Sequence, residues 1–88
     1  MSIIIWLSSN LSRIAKGAEG FEVNGRTVGE CIHELVDLVP AMKNALFYDT
    51  QLNATVQVEV NGRIVSTGDR LTKTVKDGDE IRIALKGY

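Results

Sequence analysis

Asn61-Gly62, set between Val56-Gln57-Val58-Glu59-Val60 and Arg63-Ile64-Val65, constrains this chain more than any other feature. A tight type I′ turn needs two adjacent residues at positive φ, and Asn-Gly reaches that geometry with least strain. The flanking strands must then pair antiparallel. The alternation before the turn puts Val56, Val58 and Val60 on a buried face and Gln57 and Glu59 on the other. A second turn, Asp77-Gly78-Asp79, launches a closing strand in which Ile81, Ile83 and Leu85 alternate with Arg82, Ala84 and Lys86. This strand runs straight into Gly87-Tyr88, which makes the terminal carboxylate a candidate reactive group.

Upstream, Ile3 to Leu7 is an unbroken β-branched and aromatic run, the pattern of a central strand touching apolar matter on both faces. Leu11 and Ile14 sit in a polar connection that closes at Gly17 to Gly20, and Phe21-Glu22-Val23 reads as a short strand stopped by Asn24-Gly25. Thr27-Val28-Gly29-Glu30 has the form of a capping box: Thr27 accepts from the amide of Glu30, and the Glu30 carboxylate reaches back to the amide of Thr27. The helix that follows places Val28, Ile32, Leu35 and Val39 on one face, supported by Cys31 and Leu38. It ends at or just before Val39, because Pro40 disfavours helical geometry in the residue preceding it.

Ala41 to Phe47 predicts a further helical turn or two, and Tyr48 to Thr55 reads as loop. Leu71 and Val75 anchor an irregular link between the last two turns. Phe21 to Val28 echoes Val58 to Val65, but the first copy leads into a helix and the second into a strand. Repeated Asn-Gly turn chemistry explains the echo better than a tandem repeat. The order strand, strand, helix, strand, strand, strand sets one principal helix against a mixed sheet, an α+β domain occupying 1–88.

Composition then removes function classes. The 88 residues carry ten basic and eleven acidic side chains, a net charge of -1, so no overall field draws the chain to nucleic acid or an anionic membrane. Five aromatics, too scattered to interleave with basic residues, make no nucleic-acid platform. The single cysteine excludes an internal disulfide and a cysteine-only metal site, and a reducing, cytoplasmic setting follows as the default. The apolar start is far shorter than the roughly 20 residues of a membrane span. Cys31 and His33, two apart on a helix, point in different directions and form no nucleophile-base pair. Asp77, Asp79 and Glu80 lack the continuation of a calcium loop, and no glycine-rich phosphate cradle is present. An enzyme is not expected.

Surface apolar residues are more informative. With Ile3, Ile5 and Leu7 packed under the helix, the pleat turns Ile4 and Trp6 to the opposite face, alongside Ala84 where the first and last strands are neighbours. That uncovered face is a candidate partner site. The alternative is that the Tyr48 to Thr55 loop covers Trp6.

Taken together, Thr27-Val28-Gly29-Glu30 opening the helix, Leu35 and Pro40, Val60-Asn61-Gly62 at the hairpin, and Leu71 followed by Asp77-Gly78-Asp79-Glu80-Ile81 resemble the MoaD/ThiS family. The resemblance spans essentially the whole chain. It implies a ubiquitin-like β-grasp sulfur carrier, in layout nearest the small subunit of molybdopterin synthase. In that family a terminal Gly-Gly carboxylate becomes a thiocarboxylate that donates sulfur in molybdopterin or thiamine-type cofactor biosynthesis. The implied partners are a ubiquitin-activating-enzyme-like adenylyltransferase that uses ATP and Mg²⁺, a sulfurtransferase, and the large subunit of molybdopterin synthase. No cofactor is bound by the carrier itself.

This chain departs from the family at the tail. The terminal Gly-Gly is missing: Gly87 matches one glycine, preceded by Lys86 and followed by Tyr88. The carrier role therefore transfers to Gly87 alone, once Tyr88 is removed. The alternative is a non-conjugating β-grasp interaction module that works through Ile4, Trp6 and Ala84.

Overall fold

The computed structural model describes residues 2–86. In chain order the elements are β1 (Ile3–Leu7), α1 (Ser9–Ile14), β2 (Gly20–Val23), α2 (Val28–Leu38), α3 (Met42–Leu46), β3 (Phe47–Tyr48), β4 (Gln51–Leu52), β5 (Val56–Val60), β6 (Arg63–Ile64) and β7 (Glu80–Leu85). Five strands form a mixed sheet in the order β2-β1-β7-β5-β6, in which only the β1–β7 pair is parallel. Its core-side residues Ile3, Ile5, Val58, Ile81 and Ile83 are fully buried, together with Val28, Ile32 and Leu35 of α2. Burial of each such side chain contributes about 1.5–3 kcal/mol. This is the α+β, β-grasp arrangement expected from the sequence.

The hairpin turn forms as the dipeptide requires, with Asn61 at φ 51° and Gly62 at φ 85°. The helix cap forms in part. The Glu30 amide donates to Thr27 Oγ1 at 3.1 Å, but the Glu30 carboxylate accepts from the amide of Arg26, at 2.9 Å, instead of Thr27. Residues 26–28 are drawn into an extended bridge beside 73–75, where Val28 N–H donates to Lys73 O and Val75 N–H to Arg26 O. That shifts the reach of the carboxylate by one residue.

Four sequence expectations are corrected. The polar connection after β1 contains α1, which buries Leu11; six residues are too few to print a helical period, and Gly17, at φ 92°, stops the helix by donating to Ser12 O. The Tyr48 to Thr55 loop contains most of a β3–β4 hairpin, two residues per strand, too short for visible alternation. Leu38 is 55% exposed because α2 buries nothing beyond Leu35. β1 has apolar cover on one face only, since Ile4 is half-buried and Trp6 is 37% exposed.

Candidate functional site

On the face of the sheet away from the helices, paired residues line up across all five strands. Gly20 lies opposite Trp6, Trp6 opposite Arg82, Arg82 opposite Glu59, and Glu59 opposite Ile64. Cross-strand partners share a face, so these five form one row. Ile4 flanks the row on β1 between Glu22 and Glu80. Ala84, half-buried and opposite Gln57, lies two residues beyond Arg82, so it shares the face without standing opposite Trp6.

Trp6 is both exposed and held. Its ring crosses Gly20 so closely that a Cβ there would meet Cζ3 at 2.7 Å, and at the other edge its Nε1–H donates to Glu80 Oε1 at 2.8 Å. The indole thus spans from β2 to β7 with a preset orientation. Glu80 belongs to a network that ties the two turn motifs together. Its amide donates to Asn61 Oδ1 at 2.9 Å, and Asn61 Nδ2 donates to Asp79 Oδ1 at 3.0 Å. The Asn61 amide and then the Lys76 N–H hold the Asp79 carboxyl below the usual carboxylate range. The sign follows by linkage: a depressed carboxyl contributes stability above its unfolded pKa, and that contribution is lost as pH falls through the lower folded value.

The β3–β4 hairpin does not cover Trp6. It sits on the helical side, where Phe47 stacks on His33 of α2 with ring centroids 5.8 Å apart and planes 14° from parallel. Trp6 is left 37% exposed.

The last strand, β7, ends at Leu85, at one end of this face. Leu85 pairs with Val56, and the Lys86 amide donates to Thr55 O at 2.7 Å. Gly87, the expected carrier residue, lies outside the described residues. Sequence reading set Glu59 and Arg82 opposite the core without assigning them to the candidate site, and missed Gly20, Glu80 and Ile64 as parts of the face. The available signal was pleat parity, which assigns residues 80, 82 and 84 to this face once Ile81 and Ile83 are placed inside.

Cys31 is fully buried, and burial, reinforced by Glu34 and Glu30, pushes its thiol up to about 11. We predict that a disulfide reagent leaves Cys31 untouched in the native protein at pH 8 and titrates it fully after unfolding. Rapid native labelling would show that the site opens. Because the folded thiol holds its proton more tightly than the unfolded one, its contribution is intact below the ordinary thiol value of 9.0 and is lost as pH rises toward about 11. Among the described residues, no group of three or more His, Cys, Asp or Glu could hold a metal ion, and no helix is long and apolar enough to cross a membrane.

The fold and this face define a ubiquitin-like β-grasp protein. The model of the ThiS family matches residues 7–83, and the chain belongs to that family of ubiquitin-like sulfur carriers. Among solved structures, a chain of the Amycolatopsis orientalis BexX/CysO complex is similar at 26% identity and TM-score 0.88, covering 98% of this chain and 97% of that one. Small archaeal modifier protein 1 from Methanosarcina acetivorans is similar at 25% identity and TM-score 0.85, covering 96% and 91%. A chain of the complex of subunits 1 and 2 of the Helicobacter pylori molybdopterin-converting factor shares the fold at 15% identity and TM-score 0.66, covering 100% and 97%. No curated protein matches in sequence. Two of these neighbours were solved bound to protein partners.

Proposed function

We propose that this protein carries sulfur as a thiocarboxylate on Gly87, made available by cleavage after that residue, for molybdopterin or thiamine-type cofactor biosynthesis in the cytoplasm. Membership of the ThiS family over residues 7–83 is the observation that supports this reading. The position of the tail agrees with it, since Lys86 is exposed where the chain leaves the sheet beside Thr55. The chain itself is a carrier, not an enzyme. A ubiquitin-activating-enzyme-like adenylyltransferase supplies ATP and Mg²⁺, a sulfurtransferase supplies a persulfide, and a molybdopterin-synthase large subunit is one acceptor.

The chemistry follows from the weakness of a carboxylate as an electrophile. A terminal carboxylate oxygen attacks the α-phosphorus of ATP and pyrophosphate leaves, giving an acyl-adenylate. The persulfide's outer sulfur displaces AMP, and a thiol reductant cleaves the resulting acyl disulfide to leave the thiocarboxylate. Gly87, lacking a Cβ, suits a narrow channel in extended geometry. The test is pyrophosphate release from ATP and Mg²⁺ by the adenylyltransferase, supplied with the chain ending at Gly87 and with the chain ending at Tyr88. Release is expected only with the first; release with neither overturns the reading.

The fixed, exposed indole favours a second reading, an interaction module acting through Ile4, Trp6 and Ala84 with no carrier chemistry. On either reading Trp6 is the anchor for a protein partner; on the carrier reading that partner is the adenylyltransferase, and Trp6→Ala is expected to weaken its capture by about 2 kcal/mol or more. Circular dichroism should show the fold retained. Unchanged affinity would remove Trp6 from the docking face.

A further inference from the structure

The cross-sheet row has a property that neither reading uses: it is its own complement. From β1 to β6 it runs Trp6, Arg82, Glu59, Ile64, that is, apolar, positive, negative, apolar. Rotation by a half-turn about an axis parallel to the strands, passing between β7 and β5, reverses the order of strands and keeps the row level. Trp6 then faces Ile64 of a second copy, Arg82 faces its Glu59, and both relations are repeated by symmetry. Charges alternate within the sheet and across the gap, so no like charges stand directly opposed. In the next row Ala84 meets Gln57, which adds no charge.

We propose that the open sheet face is a self-association surface, on which two copies of this chain pair through the row Trp6, Arg82, Glu59 and Ile64. The isologous pattern is what a two-fold dimer requires, since each patch must match its own reverse. Exposure agrees: Ile64 is 68% exposed, Trp6 is 37% exposed, and Arg82 lies at the surface. Spacing agrees too. Strands about 4.8 Å apart put Trp6 and Ile64 roughly 14 Å from one another, and aligned sheet packing at about 30° leaves both within side-chain reach of their counterparts.

The size of the face sets the strength. Five strands of this spacing and length present roughly half of the about 800 Å² per partner that a standard stable interface buries. The dimer is therefore weak, with a Kd between about 100 µM and 1 mM. The paired form hides Trp6 from other proteins; that consequence, unlike the pairing itself, rests on the partner-docking reading above.

The test is a charge swap followed by sedimentation equilibrium of the full chain from about 10 µM to about 2 mM. Wild type is expected to shift from monomer toward dimer over this range. Glu59→Arg alone and Arg82→Glu alone each oppose like charges across the axis, and each should weaken pairing by about ten-fold or more. Mixed in equal amounts, the two variants restore every opposite-charge contact, because one supplies two negative residues and the other two positive ones. The mixture should therefore associate as wild type does, while neither variant does alone. The double variant carrying both substitutions also restores the pattern and should pair with itself. Circular dichroism of each variant checks that it remains folded. A wild type that stays monomeric to the highest concentration overturns the proposal. So does association unaffected by the single reversals, which would place it on another surface, or a mixture that fails to pair.

Discussion

Arg70→Ala is expected to destabilise the fold by about 3 kcal/mol, the loss of a buried cation hydrogen-bonded to four backbone carbonyls. Arg70 is 8% exposed. Its Nε donates to Thr67 O at 3.0 Å, its Nη1 to Asn53 O at 2.7 Å and to Val56 O at 2.8 Å, and its Nη2 to Leu52 O at 3.3 Å. One planar fork thus closes the turn at 67–70 onto the link between β4 and β5. Truncation removes the guanidinium from all four carbonyls, of which Asn53 O keeps the Val56 amide at 3.0 Å, and a chain of this size should lose roughly 12–24 °C in Tm. Arg70→Lys should recover little, because an ammonium cannot spread its donors over partners so far apart. A fall of less than about 1 kcal/mol in denaturant unfolding would show that water replaces the guanidinium without loss.

The consequence reaches the tail. Thr55, which accepts from the Lys86 amide, lies inside the link that Arg70 clamps. The alanine variant should therefore also loosen the point from which the tail departs, seen as faster amide exchange at Lys86.

Gly29→Val should cost about 3 kcal/mol for a different reason. Two amides in the first turn of α2 are seated on distant backbone: the Gly29 amide donates to Leu71 O at 2.9 Å and the Val28 amide to Lys73 O at 2.9 Å. These bonds satisfy two of the amides that a helix N-terminus leaves without internal partners. The approach is so close that a Cβ on Gly29 would sit 2.8 Å from Leu71 O and 3.4 Å from Leu71 Cβ. A branched side chain must push the 71–73 segment away and break both bonds. Gly29→Ala makes the same clash with fewer atoms, and the better helix propensity of alanine offsets it by about 1 kcal/mol. Thermal unfolding should rank wild type above alanine above valine. An alanine variant more stable than wild type would show that the segment yields freely.

Much of this fold was legible because several local signals agreed. Asn61-Gly62 specifies its turn by φ alone, Thr27 and Glu30 mark the helix start, Pro40 marks its end, and residues 56–60 and 81–85 alternate cleanly. Short elements stayed hidden: α1 exists because Leu11 has a core to enter, and β3–β4 because Phe47 can stack on His33, both facts of tertiary packing. Arg70 was invisible for a related reason. An arginine between Asp69 and Leu71 in an irregular segment reads as a surface residue, and only the folded chain brings four carbonyls around it.

The candidate site was legible by half. Pleat parity put Ile4, Trp6 and Ala84 on one face, as found. It did not reveal that Gly20 and Glu80 fix the indole, or that Arg82 and Glu59 carry opposite charges across the row, because those relations need the strand order and register. The reach of Glu30 to Arg26, in place of Thr27, came from a bridge to residues 73–75 that lies far off in sequence.

Whether Gly87 becomes the sulfur-bearing terminus is read from the intact mass of the protein recovered from its own cells under sulfur-cofactor demand. The expected species ends at Gly87 and is heavier than the free acid by the difference between one sulfur and one oxygen. That increment should vanish when the adenylyltransferase is deleted. A protein recovered wholly uncleaved after Gly87 under the same demand would contradict it.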